Sequence, residues 1–288
     1  MIAAKREKRP AVVQMRLRQL SIEIISVVSV IVIYGIPFYY VLVNSAKSPR
    51  DAAGMTIHWP ETFYMVQNYI AVLQTNNHVV IRAFWNSTKT TFAGVLLIVI
   101  LSALTGFILN RRQGRTVNIL SYVLLAGLMI PPAIVPTIWI LNGFGLFRTL
   151  TGLVLVQVAL GLPFATILFR AFLSTIPKEL DEAAMIDGCG PIRLFFTIIL
   201  PLLKPVISTV VILTSVTLFN DFMNPLFLLP GTGNVTVQLT MFHFMSQFAT
   251  DWNLLFANVV LITLPLLILF IIFNKKIVAG MTAGAMKG

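Results

Sequence analysis

The chain has 288 residues, of which 57% are hydrophobic and only 11% are charged. Because a soluble domain carries about 25% charged residues, this chain cannot cover its surface with polar groups, and a fully water-soluble fold is excluded. The formal net charge of +11 would suit a nucleic-acid partner, but the basic residues follow the loops between apolar segments, as they do in membrane proteins.

The apolar segments are about 20 residues long and do not alternate in polarity, so they predict membrane-spanning helices rather than barrel strands. The first segment starts late, is too long for a signal-peptide core and precedes no A-x-A site, so we interpret it as a retained anchor. The prediction is an all-α polytopic membrane protein with six transmembrane helices, at about Ile22–Val43, Thr90–Leu109, Asn118–Ile140, Thr151–Phe172, Pro205–Phe222 and Leu254–Phe273. We expect three regions: a basic N-terminal arm at 1–21, the six-helix domain at 22–274 and a tail at 275–288.

The distribution of basic residues predicts the orientation of these helices. If the N-terminus is cytoplasmic, sixteen of the 21 Lys and Arg residues fall on the cytoplasmic side. Cytoplasmic loops are enriched in Lys and Arg, so we expect both termini inside and a multi-pass location in the cell membrane. The polar loop at residues 175–204 then lies in the cytoplasm.

The longest predicted outer segment, Asn44–Trp85, combines turn-forming residues with aromatic residues such as Trp59 and Tyr64. It predicts a short interfacial helix and a turn-rich strip. The aromatic residues favour a belt at the lipid headgroups, and contact with a receptor is the alternative.

Several predicted spans contain proline, which removes a backbone donor and can kink a helix. The third span contains Pro131, Pro132 and Pro136 and is predicted to be the least regular. Two interpretations stay open: static packing, or a helix that bends when a pore opens.

The polar loop at 175–204 predicts a short helix, a glycine turn and a second helix. Glu179, Asp181 and Glu182 suit the N-terminal end of a helix dipole. Gly188 and Gly190 can end the first helix, and Pro191 can begin the second. The alternative is an amphipathic helix lying on the inner leaflet, but such a helix presents Lys and Arg to anionic lipid, whereas this one presents acids.

This loop resembles the EAA loop of ABC importer permeases. Glu182-Ala183-Ala184, three residues, Gly188, nine residues and Ile198-Ile199-Leu200-Pro201 match every fixed position of that family's pattern. The resemblance implies that the loop docks on a separate ATPase and moves with it. The docking residues that it implies are Glu179, Glu182, Ala183, Ala184, Asp187, Gly188 and Pro201, and Asp187 fits the sugar-importer version of the loop.

A second stretch, Leu218–Leu226, resembles the W-N-x-[FY]-x-x-P-L sequence of sugar permeases, with Phe219 in place of the tryptophan. Polar residues within spans usually face a protein interior or a cavity, and hydroxyls, amides and aromatic rings suit a sugar. Interhelical hydrogen bonding is the alternative. The predicted substrate path comprises Asn142, Gln157, Thr214, Thr217, Asn220, Asp221 and Asn224.

Two further segments carry expectations from the same resemblance. In maltose-type relatives, the loop that corresponds to Gly231, Thr232, Gly233 and Asn234 reaches toward the binding protein, although the residues alone also fit a plain turn. The end of the chain, from Gly280 to Gly288, resembles a terminus that enters the ATPase interface, although a tail of small residues is often disordered.

The sequence offers no chemistry of its own for catalysis. It contains no P-loop motif. The three histidines, His58, His78 and His243, are far apart, and Cys189 is the single cysteine. We therefore expect no enzyme activity, no metal site and no cofactor in this chain, with ATP and Mg²⁺ held by a partner ATPase.

The sequence is identified as a permease of the maltose type, which implies an ABC importer for sugars or oligosaccharides. The implied partners are a second permease in a heterodimer, two ATP-binding subunits and an extracytoplasmic solute-binding protein. One alternative is a glycerol phosphate ester as cargo, which a buried basic residue in the pore would favour. The distant alternative is an ion-coupled carrier, which needs acids or histidines at mid-membrane.

Overall fold

The computed structural model describes residues 9–231, 233–245 and 250–285, and within them the protein is all-helical, with a single isolated bridge between Met245 and Thr250 and no strand. The helices are α1 Arg9–Val30, α2 Ile36–Ser45, α3 Pro49–Ala53, α4 Met65–Arg111, α5 Arg115–Met129, α6 Ile134–Gly143, α7 Leu150–Leu173, α8 Glu179–Ile186, α9 Pro191–Arg193, α10 Leu200–Leu202, α11 Lys204–Phe219, α12 Met223–Leu228 and α13 Trp252–Ala285. Wider π-helical turns lie at Ile31–Gly35 and Leu194–Ile199, and a 3₁₀ helix lies at Val237–Phe244.

Three of these helical segments are long and apolar enough to cross a membrane: Gln19–Ser45, Met65–Arg111 and Leu150–Leu173. Two bent pairs raise the number to five within the described residues if each pair is counted as one span. The last apolar helix adds the shorter segment Trp252–Ile268. A polytopic helical fold is thus confirmed, whereas the number six and the orientation stay predictions.

The fourth predicted span agrees best with the structure, because α7 begins and ends within one residue of Thr151–Phe172. Its start is fixed by Thr149, whose hydroxyl oxygen accepts a hydrogen bond from the backbone N–H of Gly152 at 3.0 Å. A side-chain acceptor at this position satisfies one of the donors that the first helical turn leaves free.

The third predicted span was expected to be the least regular, and it is broken into two helices. Helix α5 ends at Met129, α6 begins at Ile134, and the two helices are bent by 120°. Proline disfavours helical geometry in the residue before it, and Ile130 is accordingly extended, with ψ of 123°. Pro131 and Pro132 therefore break the span rather than kink it.

The outer segment Asn44–Trp85 was predicted to hold a short helix and a turn-rich strip, and the turn-rich strip is wrong, because residues 65–85 are mostly helical. The expected short helix is present as α3, but α4 begins at Met65 and resumes after four non-helical residues, Thr75–His78. No proline or glycine occurs between residues 61 and 93 to stop a helix. The break falls at Asn76 and Asn77, a residue type that tolerates positive φ.

Helix α11 agrees with the fifth predicted span to within three residues at each end, whereas the sixth predicted span is part of the longer helix α13. The segment Pro191–Leu202 precedes α11 at an angle of 77°, with the break at Leu203. Helix α13 continues through Ala285, so the predicted tail is helical over its described residues.

The chain divides into two compact units. In the unit that contains residues up to 72 and 244–261, Lys47 is fully buried and its Nζ donates to the carbonyl of Thr56 at 2.7 Å. The amide of Asn68 donates to the carbonyls of Ser45 and Lys47, both at 2.9 Å. A polar network therefore joins α2, α4 and the segment between them.

The unit that contains residues 73–243 holds an extensive apolar core, built from α4, α7, α8, the π-helical turn at Leu194–Ile199 and α11. Helices α4 and α7 approach closely at Gly106, where an added Cβ would lie 3.0 Å from Cβ of Phe169. Phe195 of the π-helical turn packs on Phe107 of α4, with ring centroids 5.6 Å apart. The loop at 175–204 is thus seated on the same helices that form the body of this unit.

Candidate functional sites

The first half of the polar loop forms the expected helix and glycine turn. Helix α8 has Glu179, Asp181 and Glu182 in its first turn. At its end, Cys189 N–H donates to the carbonyl of Ala184 at 2.9 Å and Gly188 N–H donates to that of Met185 at 3.0 Å. This pair of bonds is a Schellman motif.

The two glycines of the turn, Gly188 and Gly190, differ in backbone conformation. Gly188 has φ of +80°, a left-handed conformation that favours glycine. Gly190 is extended, with φ of −69° and ψ of 161°, and caps α9, which begins at Pro191. The prediction that Gly188 ends α8 is confirmed, whereas Gly190 has another role.

Helix α8 has an inner and an outer face. Asp181 and Ala184 point inward, and Ala184 packs in the apolar core with Phe195 and Ile199. Of the seven predicted docking residues, only Ala184 is buried. The six that are exposed are Glu179, Glu182, Ala183, Asp187, Gly188 and Pro201. Ala184 therefore seats the helix, and the exposed residues form the surface that a partner can reach.

The outer face also presents apolar side chains that the sequence interpretation did not select. Ile186 is 85% exposed, Ile192 is 75% exposed, and Met185 is more than half exposed. Large apolar side chains grouped on a surface are typical of interaction sites. They belong to the same short helix-turn-helix as Glu182, so we include them in the docking surface, which we define as Glu182, Ala183, Met185, Ile186 and Ile192.

The inner face of α8 is held by an ion pair that was not predicted. Nε of Arg111, the last residue of α4, lies 2.6 Å from Oδ2 of Asp181. Both Nη atoms of Arg111 donate to the carbonyl of Ile176 at 3.2 Å. The two charged residues are 70 positions apart, and only the packing of α4 beside α7 reveals the pair.

The second candidate site is a groove of about 570 Å³ between α4, α7, α11 and α12. Six of the seven predicted substrate-path residues line it, namely Gln157, Thr214, Thr217, Asn220, Asp221 and Asn224. The seventh, Asn142, lies near the end of α6 and does not line the groove. The structure brings the six together, and their role in transport stays a prediction.

Asp221 is the hydrogen-bonding centre of the groove. Its Oδ2 accepts from Nε2 of Gln157 and from Nδ2 of Asn224, both at 2.9 Å, and its Oδ1 accepts from the Asn224 N–H at 3.1 Å. The carboxylate thus joins α7 to the start of α12. It also holds a negative charge at the wall of the cavity, where it remains half-buried.

The two threonines of the groove satisfy their donors within α11. Thr214 Oγ1 donates to the Val210 carbonyl at 2.6 Å, and Thr217 Oγ1 donates to the Leu213 carbonyl at 2.9 Å. Their oxygens keep lone pairs for hydroxyl donors. Phe164 and Phe222 add aromatic surface to the same groove.

The loop after α12 is described only in part, since Thr232 lies outside the described residues. Gly231 has φ of +115°, as a turn requires, and Asn234 Nδ2 donates to the Arg148 carbonyl at 2.8 Å. Asn234 is thus anchored at the start of α7, and contact of this loop with a binding protein stays a prediction. Among the residues that the structure describes, no three His, Cys, Asp or Glu side chains are grouped to hold a metal ion.

Comparisons with known proteins place these features in a family. Residues 98–283 match the family described as "Binding-protein-dependent transport system inner membrane component". This match covers α7, the docking surface and the groove, and extends over more than half of the chain.

Curated relatives are similar over nearly their whole length. The chain is 34% identical to the "Probable starch degradation products transport system permease protein AmyC" of Thermoanaerobacterium thermosulfurigenes, over 87% of this chain and 91% of the relative. It is 31% identical to the "Melibiose/raffinose/stachyose import permease protein MelC" of Bacillus subtilis, over 94% of this chain and 99% of the relative.

A solved structure shares the fold. It belongs to a bacterial ABC transporter involved in the import of the acidic polysaccharide alginate, and the TM-score is 0.77 with 17% identity, over 94% of this chain and 99% of that chain. The EAA pattern, the helical fold and the family match agree, and the chain belongs to the family of binding-protein-dependent transport system inner membrane components.

Proposed function

We propose that the chain is the transmembrane permease subunit of an ATP-driven importer that takes up sugars or oligosaccharides delivered by an extracytoplasmic binding protein. The observation that carries the proposal is the position of α8. Its outer face is exposed, and its inner face is buried in the core formed by helices that also line the groove. The membership in a binding-protein-dependent family supports the same function.

The chemistry of the groove favours a neutral sugar as cargo. Carboxylate, amide and hydroxyl oxygens accept from sugar hydroxyls, and Phe164 and Phe222 suit the flat face of a sugar ring. No Lys or Arg is found among the described residues that line the groove, so a phosphate ester would meet the charge of Asp221 without a compensating cation. The names of the relatives, which include starch degradation products and melibiose, support this substrate class.

The proposed complex contains a second, different permease, two ATP-binding subunits and an extracytoplasmic solute-binding protein. ATP and Mg²⁺ belong to the ATPase subunits, because this chain contains no P-loop. The proposed topology has six spans with both termini in the cytoplasm, and each bent pair of helices is one of those spans. This arrangement puts the docking surface on the side where ATP is available.

In the proposed mechanism, closure of the ATPase subunits displaces α8. Because Asp181 and Ala184 are packed into the unit, the displacement moves α4, α7 and α11 together. The groove then changes from inward-open to outward-open, and the binding protein releases its sugar into it. This chain supplies the path, and the ATPase supplies the energy.

The proposal is tested by uptake into proteoliposomes that contain the complete complex, with ATP on the ATPase side. Radiolabelled maltotriose, raffinose and glycerol 3-phosphate are offered together with the cognate binding protein. We expect accumulation of a neutral oligosaccharide that requires both ATP and the binding protein. Preferential accumulation of glycerol 3-phosphate would contradict the cargo class, and uptake driven by an ion gradient without ATP would contradict the importer itself.

A further inference from the structure

The guanidinium of Arg111 binds two parts of the loop at once. It pairs with the carboxylate of Asp181 on α8, and it donates to the carbonyls of Ile176 at 3.2 Å and Pro177 at 3.4 Å in the segment that leads into α8. The side chains of the ion pair are only 10% and 9% exposed. A planar fork of donors suits this arrangement, whereas a lysine offers a single point charge.

The side chains of Arg111 and Asp181 are mostly buried, unlike those of the other charged residues around them. Glu179 and Glu182 in the same turn are exposed, and so is Arg112, the neighbour of Arg111. The side chain of Asp181 is short, so the contact between Asp181 and Arg111 exists only while α8 lies against the end of α4. The pair therefore fixes where α8 sits.

The contact between Arg111 and Asp181 also links two segments that are remote in sequence, namely α4 and the loop at 175–204. The chain joins α8 to α7 on one side and, through Pro191–Leu202, to α11 on the other side. Helix α4 reaches α8 only through space. Ile98 of α4 lines the groove and lies thirteen residues before Arg111, which corresponds to about 20 Å along a helix.

We propose that Arg111 is a positioning residue for transport: it fastens α8 to the inner end of α4, so that movement imposed on α8 reaches the groove wall through α4 as well as through α7 and α11. The inference rests on the proposed function, because it assumes that α8 receives the movement of an ATPase. In this proposal, the buried ion pair of Arg111 and Asp181 couples ATP hydrolysis to the movement of the groove.

The test measures the ratio of sugar transported to ATP hydrolysed in proteoliposomes that contain the complete complex and its binding protein, with maltotriose and raffinose as substrates. The variants are Arg111→Gln, Asp181→Asn, Arg111→Lys and the exchange Arg111→Asp with Asp181→Arg, and Arg112→Gln is the matched control. We expect Arg111→Gln and Asp181→Asn to retain ATP hydrolysis but to lose at least about tenfold in transport per ATP. We expect Arg111→Lys to be intermediate and the exchange to recover at least a third of the wild-type ratio.

The outcomes separate the two proposals. A wild-type complex that transports neither sugar counts against the proposed function. A wild-type complex that transports, with variants that keep the wild-type ratio, overturns the role of Arg111 alone. If the single variants fail to assemble, the double variant with exchanged charges decides. A restored ratio of sugar transported to ATP hydrolysed in the assembled double variant supports the role of the pair. A ratio that stays low in the assembled double variant overturns it. A parallel fall of transport and ATP hydrolysis at an unchanged ratio shows a merely structural role and also overturns it.

Discussion

The two adjacent alanines of the EAA pattern occupy opposite environments. Ala183 is exposed on the docking surface, whereas Ala184 is buried against Phe195 and Ile199. The pattern alone presents them as equivalent. In the structure, Ala184 is small because the core leaves no more space, whereas the small side chain of Ala183 suits the close approach of the ATPase that we propose.

The alanines therefore respond differently to enlargement. Overpacking a core costs about 1–3 kcal/mol, so Ala184→Leu should lower the melting temperature of the purified permease. Ala183→Leu should leave the melting temperature unchanged but reduce the amount of ATPase subunit that co-purifies. Similar melting temperatures for both variants, together with normal ATPase binding, would contradict this division of roles.

The two glycines after α8 form a second matched pair. Gly188 has positive φ, and a Cβ there costs roughly 1–2 kcal/mol of backbone strain. Gly190 is in an extended conformation, and no atom lies within 4 Å of a Cβ added at either glycine. We expect Gly188→Ala to lower thermal stability and sugar uptake.

Gly190→Ala is the control for this change and should behave as wild type in both measurements. Because neither substitution meets a steric clash, a difference between them isolates the backbone conformation. Equal effects of the two alanines would show that the left-handed turn is not needed.

At the residue scale, patterns within one segment were predictable and contacts between segments were not. The i, i+3, i+7 spacing of Thr214, Thr217 and Asp221 placed them on one side, and the structure puts all three in the groove. The bond between Gln157 and Asp221 joins residues 64 positions apart. Such contacts depend on how helices pack, which periodicity does not encode.

At the element scale, proline chemistry decides where the helices break. Pro163 and Pro265 lie inside α7 and α13, which continue through them. Pro131 and Pro132 are consecutive, so two adjacent donors are missing and both preceding residues are restricted. The sequence indicated an irregular helix here, but the size of the bend depends on the contacts of α6 with its neighbours.

The break between α5 and α6 helps to form the wall of a small cavity of about 70 Å³. Pro132 and Ala133 line it together with Leu160 and Asn224, which also line the groove. Replacing Pro131 and Pro132 by alanine should allow α5 to continue and should withdraw α6 from this wall. We expect at least about a tenfold loss of uptake with normal membrane insertion.

The control for the proline change is Pro265→Ala, because α13 is already helical on both sides of Pro265. This variant should retain uptake. Wild-type uptake by the double alanine variant would show that the bend is not needed for the transport path.

At the scale of the whole molecule, α8 connects the proposed docking surface to the apolar core beside the groove. The groove and the docking surface belong to the same unit, and α8 is packed into the core of that unit. Composition and charge predicted the membrane location, and the EAA pattern predicted the docking loop. The exposed position of Ile186 and the buried pair of Arg111 and Asp181 needed the three-dimensional structure, because both depend on which way α8 faces.

The central claim is that an ATPase subunit binds the outer face of α8, and photo-cross-linking tests it most directly. A photoreactive benzoylphenylalanine at Ile186, which is 85% exposed, is illuminated in membranes that contain the complete complex. The same residue at Trp139, exposed on α6, is the control. We expect a covalent adduct of one permease and one ATPase subunit from position 186 and none from position 139. The absence of an ATPase adduct at position 186, or equal adducts at both positions, would contradict the account.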